Sequence, residues 1–372
     1  MIEIIRRLIE LIHGKLAKKN HVILYGWPNH EASTIALESA LRNTDVERII
    51  ILISGDSPRY SLKYGESTIQ VRKNSFRGLW LFLRAKYVFF THPCFVRHFP
   101  NDVISINVWH GMPIKRIGRM LQRKQDIQAK YTISTSPFWQ GIIERSMPPK
   151  DAVLMTGLPR NDHLFNSREA VMDRLDLDRS QRLIAWLPTY RKSVRGELRL
   201  DGNHYESIFE MPDIDPIVFN TLLKRHHAIL WVKPHPMASS LSAREWSHIR
   251  IIEDESLVKD GLSLYQLLAA SDVLITDISS VVIDFLLVDK PIIHAFPDIE
   301  EYRDSRGFSV EPIEDFFAGE VVNNQEELLK ALDIELSGTD PHAKKRRAIR
   351  DLSHVHQDDQ ATQRLLKAID LM

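Results

Sequence analysis

HVILYGWPNHEASTIALESALRNTDVERIIILISG, His21–Gly55, is the stretch whose reading decides the fold. Its first seven residues, His21–Trp27, form an apolar run of strand length. Glu31–Asn43 reads as a helix, and Glu47–Gly55 as a second buried strand. Strand, helix, strand in so short a span makes the two strands parallel, with the helix laid over one face of their sheet. The rhythm continues with apolar strands at Tyr87–His92, Val103–His110 and Lys130–Ser136. It restarts after about residue 170 with Arg182–Tyr190, Ala228–Pro236, Asp272–Ser280 and Pro291–Phe296. The polar stretch Asn166–Gln181 reads as the junction. The pattern predicts an α/β chain of two doubly wound domains facing a cleft, residues 1–165 and 166–340. A charged helical segment, 341–372, is expected to pack back on the first domain.

Composition narrows the function classes. The 372 residues carry 49 basic and 49 acidic side chains, so a bulk electrostatic grip on nucleic acid is not expected. The single cysteine, Cys94, excludes an internal disulfide and any multi-cysteine metal site. No apolar run approaches the roughly 20 residues that span a bilayer. In residues 1–19, Ile2, Ile5, Leu8, Ile9, Ile12 and Leu16 recur at helical spacing beside Arg6, Arg7, Lys15, Lys18 and Lys19. That pattern fits a helix lying on an anionic membrane surface, and equally a helix packed on the first domain.

In open parallel sheets, ligands bind beyond the carboxyl ends of the strands. The chemically unusual residues fall there. His110 follows the strand at Val103. Thr189, Tyr190 and Arg191 follow the strand at Arg182, Lys233 and His235 the strand at Ala228, and Thr276, Asp277, Ser279 and Ser280 the strand at Asp272. The two serines suit a helix start, where unpaired N–H groups and the dipole favour phosphate; ordinary capping reads the same way. Asp284, one turn on, is placed to accept from a sugar hydroxyl. Lys233, His235, Arg191, Lys192 and Arg195 are cations for phosphate or simply solvated loop residues. Arg160 reaches the cleft or bridges the domains, and Arg303 and Arg306 sit on a loop that closes over a ligand or is charged surface. There is no phosphate loop of the GxxxxGK[ST] type, no GxGxxG after the first strand, no HExxH and no GxSxG. His92, His110 and Asp102 match no metal spacing, and no DxD pair sits at a suitable strand end, so no metal or cofactor is expected.

Taken together, NVWHGMPIKRIG (107–118), TGLPRNDHLF (156–165), LPTYR (187–191), KPHP (233–236), LITDISSVVIDFLLVDKPII (274–293) and EEYRDSRGF (300–308) resemble the CDP-glycerol glycerophosphotransferases, the teichoic acid primases and polymerases among them. The resemblance covers roughly residues 100–335. It implies a GT-B fold, with two Rossmann-like domains, the acceptor site on the first and the nucleotide donor on the second. It implies transfer of glycerol phosphate from CDP-glycerol to an acceptor hydroxyl with release of CMP, at the cytoplasmic face of the membrane, in teichoic acid or capsule polymer synthesis. The acceptor would be a lipid-linked or glycerophosphate polymer. By motif, His110 is expected to be the base and His235 a contact to the donor pyrophosphate. Arg191, Lys233, Thr276, Asp277, Ser279, Ser280, Asp284 and Arg303 are expected on the donor side, and Trp109, Gly111, Lys115 and Arg160 on the acceptor side. Met112 stands where threonine is common in the family. The alternatives are a CDP-ribitol-dependent transferase, another nucleotide-sugar enzyme on the same scaffold, or a non-catalytic membrane-docked scaffold of a synthesis complex.

Overall fold

The computed structural model describes residues 2–55, 65–121, 128–189, 209–211, 213–233, 246–252, 256–257 and 261–372. They fall into two units. Unit 1 is Met1–Met112, Ile117–His163 and Ser353–Met372; unit 2 is Pro113–Arg116 and Leu164–Leu352.

Unit 1 opens with helix α1 (Ile2–Lys15), then β1 (Lys19–Tyr25), α2 (Ala32–Leu41), β2 (Arg48–Ile53), β3 (Thr68–Arg72), α3 (Phe76–Arg84) and β4 (Ala85–Phe90). β5 (Ile104–Asn107), β6 (Tyr131–Ile133), α4 (Pro137–Ser146) and β7 (Ala152–Leu154) follow. All strands pair in parallel, in the order β3-β2-β1-β4-β5-β6-β7. The order reverses between β1 and β4, the switch point at which open sheets leave a crevice at their carboxyl edge. The apolar runs are continuous because both faces are covered. Ile23, Tyr25, Ile50, Leu52, Val88 and Phe90 pack on one side with Phe82 of α3 and with Ile9 and Leu16 beside α1's inner face. Their alternating neighbours Val22, Leu24, Ile49, Ile51 and Phe89 are also buried, as period-two geometry requires.

α1 is thus held on unit 1 by one face. His13 is fully buried against the Phe82 ring at 5.3 Å, and Glu10 Oε1 accepts the backbone N–H groups of Arg97 and His98. Its other face leaves Ile4, Ile5, Leu8, Leu11 and Ile12 exposed, as are Phe76 and Trp80 on α3.

Unit 2 repeats the plan. α5 (Arg168–Arg174), β8 (Arg182–Leu187), α6 (Pro216–Arg225), β9 (Ala228–Val232), β10 (Ile249–Ile251), α7 (Leu264–Ala270) and β11 (Val273–Thr276) come first. α8 (Val281–Phe285), β12 (Ile292–Ala295), α9 (Ile299–Ser305), β13 (Glu320–Val322), α10 (Gln325–Leu336) and α11 (Ala343–Ser353) complete it. Its parallel sheet has the order β10-β9-β8-β11-β12-β13, reversing between β8 and β11. Ile184, Trp186, Leu230 and Val232 join one core, and Leu183, Ile229 and Trp231 the core on the opposite face.

The last helix, α12 (Ala361–Ala368), belongs to unit 1. Its N-cap residue, Gln360, makes no side-chain capping bond. Asp162 serves instead from 199 residues away: its carboxylate oxygens accept the N–H groups of Ala361 at 2.8 Å and Thr362 at 2.9 Å. Arg364 donates to the Thr156 carbonyl. Gly157 lies at φ +80°, and a Cβ there would sit 3.1 Å from that of Ala361, so the left-handed turn and the close approach both call for glycine. Burial pushes the Asp162 carboxyl up to about 6, against the pull of these hydrogen bonds. The TGLPRND segment therefore builds a seat for the C-terminal helix.

Candidate functional site

In unit 1, register sets the site. Tyr25 pairs with Phe90 and Phe90 with Asn107, so β1, β4 and β5 end in one row. Beyond that row lie Gly26 and Trp27, Thr91 and His92, and Val108 to His110. β5 stops at Asn107 rather than running through His110, as the apolar run suggested. The Asn107 side chain accepts the Trp109 N–H at 3.0 Å, an Asx turn that ends the strand. Trp109 then takes φ +55° and Gly111 φ +124°. The indole of Trp109 is buried, and the reversal leaves the His110 side chain exposed at the carboxyl edge.

His110 does not stand alone there. Its Nδ1 lies 3.3 Å from the Thr91 carbonyl oxygen, and its ring stacks on His92 with centroids 4.6 Å apart and planes 23° from parallel. The His92 Nδ1 is 2.9 Å from Thr91 Oγ1, and the Trp27 ring meets His92 edge-on at 5.7 Å. Burial, then His110 and Lys73, push the His92 imidazole down to about 3, so it is neutral under ordinary conditions. His92, named from sequence only as part of an indefensible metal cluster, is the residue that sequence reasoning missed. Its signal was its place at the end of the strand next to that of His110.

Arg160 is buried beside Glu31, at 4.0 Å. Glu31 caps α2 through the Ser33 N–H, and burial outweighs the guanidinium in raising its carboxyl. Arg160 is thus engaged inside unit 1. Lys115, expected on the acceptor side, is held by unit 2. Residues 113–116 belong to unit 2, where Lys115 forms a bridge with Phe308 and its ammonium lies 5.4 Å over the Tyr302 ring. Ser309 and Arg116 tie the same stretch by backbone bonds to Ile114 and Gly307.

In unit 2, Lys233, Leu187, Thr276 and His294 align across four strands: Thr276 pairs with both Leu187 and His294, and Val232 with Trp186. Just beyond, Asp277 accepts from the N–H and hydroxyl of Thr189 at 3.3 and 2.5 Å, joining the loops after β8 and β11. Thr276 gives its hydroxyl proton to the Leu187 carbonyl at 2.6 Å. His294, fully inside, spans two loops. Its Nε2 accepts the Ala318 N–H at 3.1 Å, which leaves Nδ1–H to donate to the Asp277 carbonyl at 2.9 Å. Burial pushes this imidazole down to about 4, consistent with one proton on the ring. Thr276 and Asp277 are accordingly buried supports, whereas Ser279 and Ser280 reach the surface. Ser280 makes no side-chain cap; Ser279 Oγ accepts the Val281 N–H at 3.4 Å.

Two residues expected on the donor side already have partners within unit 2. Asp284 is fully buried and receives the Tyr265 hydroxyl at 2.6 Å. Arg303 is surrounded by Glu300, Glu311 and Glu314 at 3.5, 3.4 and 2.6 Å, so its charge is already balanced by carboxylates. Arg191 and His235, with Tyr190, Lys192, Arg195 and Pro236, lie outside the described residues. Among the described residues no group of three His, Cys, Asp or Glu side chains is placed to hold a metal ion, and no helix is long and apolar enough to cross a membrane.

Comparison with known proteins adds to this geometry. A family model described as CDP-Glycerol:Poly(glycerophosphate) glycerophosphotransferase matches residues 8–371. The chain is 27% identical over 322 residues to the teichoic acid ribitol-phosphate polymerase TarK of Staphylococcus aureus, covering 79% of this chain and 58% of that protein. It is 27% identical over 292 residues to the teichoic acid glycerol-phosphate transferase of the same organism, covering 71% and 70%. The chain spans little more than half the length of the first of these relatives. A solved structure of the wall teichoic acid polymerase TagF matches with a TM-score of 0.78 at 20% identity, over 98% of this chain and 92% of that one. That likeness shows the fold, which is GT-B: two Rossmann-like α/β units.

Proposed function

The chain belongs to the CDP-glycerol:poly(glycerophosphate) glycerophosphotransferase family, and from that premise we propose that it transfers glycerol phosphate from CDP-glycerol to an acceptor hydroxyl, releasing CMP. The observation that carries the reading is His110, turned out at the carboxyl edge of the unit 1 sheet beside its β1/β4 switch point, in a chain matched by the family almost end to end.

In this reading His110 takes the proton of the acceptor hydroxyl. That oxygen bonds to the phosphorus next to glycerol. The bond from this phosphorus to the bridging oxygen breaks, and CMP leaves with the electron pair. Lys233, Ser279 and Ser280 of unit 2 meet the negative charge on the donor, joined in this reading by Arg191 and His235, a role that the family resemblance of their motifs supports. Such donors, fixed before the reaction, stabilise charge where it develops. Thr189, Asp277 and His294 hold the loops that carry them.

The acceptor is a lipid-linked or glycerophosphate polymer of teichoic acid or capsule synthesis, and the protein works peripherally at the inner face of the cell membrane. The exposed Ile4, Ile5, Leu8, Leu11 and Ile12 of α1, flanked by Arg6, Arg7 and Lys15, support that location, since such a helix buries its apolar side in the interface of an anionic bilayer. Leu8→Glu with Leu11→Glu is expected to abolish co-sedimentation with phosphatidylglycerol vesicles; unchanged sedimentation rejects the location.

A second donor is favoured by one observation: TarK, a ribitol-phosphate polymerase, matches at the same identity as the glycerol-phosphate transferase. The deciding experiment supplies CDP-glycerol or CDP-ribitol with a short glycerophosphate acceptor and follows CMP, with mass spectrometry of the product. CMP and an extended acceptor from CDP-glycerol are expected. No turnover with either donor rejects the function.

A further inference from the structure

We infer that His92 is a positioning residue for the proposed base, holding the His110 ring in the orientation from which it takes the acceptor proton. The inference rests on the reading of His110 as that base.

A base must be fixed within hydrogen-bond reach of its proton, and a misplacement of about 1 Å costs on the order of 100-fold. His110 is exposed on a loop of irregular backbone, so contacts with neighbouring loops bear on how its ring is held. The contacts that restrain it include the Thr91 carbonyl at Nδ1 and the face of His92 at 4.6 Å. His92 is itself well anchored. The Thr91 hydroxyl accepts the Trp27 N–H at 3.3 Å and is left able to give its own proton to the His92 Nδ1. Trp27 closes the other contact, edge-on. The ends of β1, β4 and β5 thereby bring the Trp27, His92 and His110 rings together, with His92 between the other two.

The charge state of the middle ring fits this role. A cation against His110 would oppose its taking a proton. A neutral imidazole does the reverse, since its face attracts the imidazolium that forms. Burial keeps His92 neutral. Among the described residues, the titratable and charged groups that face it are His110 itself and Lys73 from the loop after β3. The Lys73 ammonium is tied to the Tyr25 hydroxyl at 2.9 Å and the Pro93 carbonyl at 3.3 Å.

The test compares His92→Ala, His92→Phe and His92→Gln in CMP release from CDP-glycerol across pH 5.5 to 9, with His110→Ala alongside. Phenylalanine keeps a ring to stack; glutamine keeps a partner for Thr91 without a ring. His92→Ala and His92→Gln are expected to lower kcat by roughly 10- to 100-fold, with KM for CDP-glycerol within about twofold. His92→Phe is expected to recover most of the rate. A kcat within twofold of wild type for both His92→Ala and His92→Gln, while His110→Ala is inactive, overturns the inference and leaves the base in place. Equal loss in the Phe and Gln variants also overturns it, because the ring then does nothing that the hydrogen bond does not. Full activity of His110→Ala fails the earlier reading instead.

Discussion

His294→Leu is the substitution that most directly tests how unit 2 supports its loops. Leucine fills a similar volume in the strand β12, so the change isolates the polar function of the ring. The imidazole bridges the Asp277 carbonyl and the Ala318 N–H, and all three groups are shut from water. Removing it leaves a buried acceptor and a buried donor unsatisfied, each at about 1–3 kcal/mol, so a loss of about 4 kcal/mol is expected. For a unit of this size, 1 kcal/mol moves the midpoint by about 2–4 °C, giving a fall of roughly 8–16 °C in calorimetry. Because Asp277 also fixes Thr189, the same variant is expected to weaken CDP-glycerol binding in titration. Protonation works the same way as substitution. The folded value, about 4, lies below the ordinary 6.5, so the unfolded chain binds the extra proton first; this group's stability contribution is present above 6.5 and is lost as pH falls toward 4. A midpoint shift below 2 °C at pH 7.5 would refute the bridging role.

Three further outcomes are expected. His110→Ala should reduce CMP release by about 10²- to 10⁴-fold without changing the melting temperature. Asp162→Ala removes the remote cap of α12 and should destabilise unit 1 by about 0.5–2 kcal/mol in denaturant titration, with faster proteolysis near residue 360. Unit 1 should also lose stability on acidification. His13 and His92 are pushed down to about 3 and His30 and His163 to about 4 by burial, and His21 is lowered as well, so the unfolded chain binds at least four more protons below 6.5. Burial raises the carboxyls of Asp162, to about 6, and of Glu31, which offsets up to two of these and leaves at least two, about 2.7 kcal/mol per pH unit. Flat denaturation midpoints from pH 6.5 to 4.5 would contradict this.

The central strands were legible because burial on both faces forces unbroken apolar runs, as in β1, β2, β4, β8, β9 and β11. The strands that escaped notice are β3, β7, β10 and β13, and each is the edge of its sheet. An edge strand has one neighbour and more solvent, so TIQVR and EVV carry no distinctive pattern. The site was legible where a residue type is chemically unusual at a strand end, as with His110 and Lys233. It was illegible where function depends on pairing. Nothing in the local sequence says that His92 will stack on His110, that His294 will bridge two loops, or that Asp284 will meet Tyr265. The Asp162 seat was out of reach for the same reason, since its partner is remote along the chain.

That seat has a consequence for how the protein is made. The amides that Asp162 receives emerge from the ribosome 199 residues later, roughly 10–40 s at typical elongation rates. During translation the first unit is therefore a nascent body with an open socket, the apolar sides of Leu365 and Leu366 still unsynthesised. The second unit is complete in sequence before the first, so the N-terminal half is the one that a chaperone would have to shield longest.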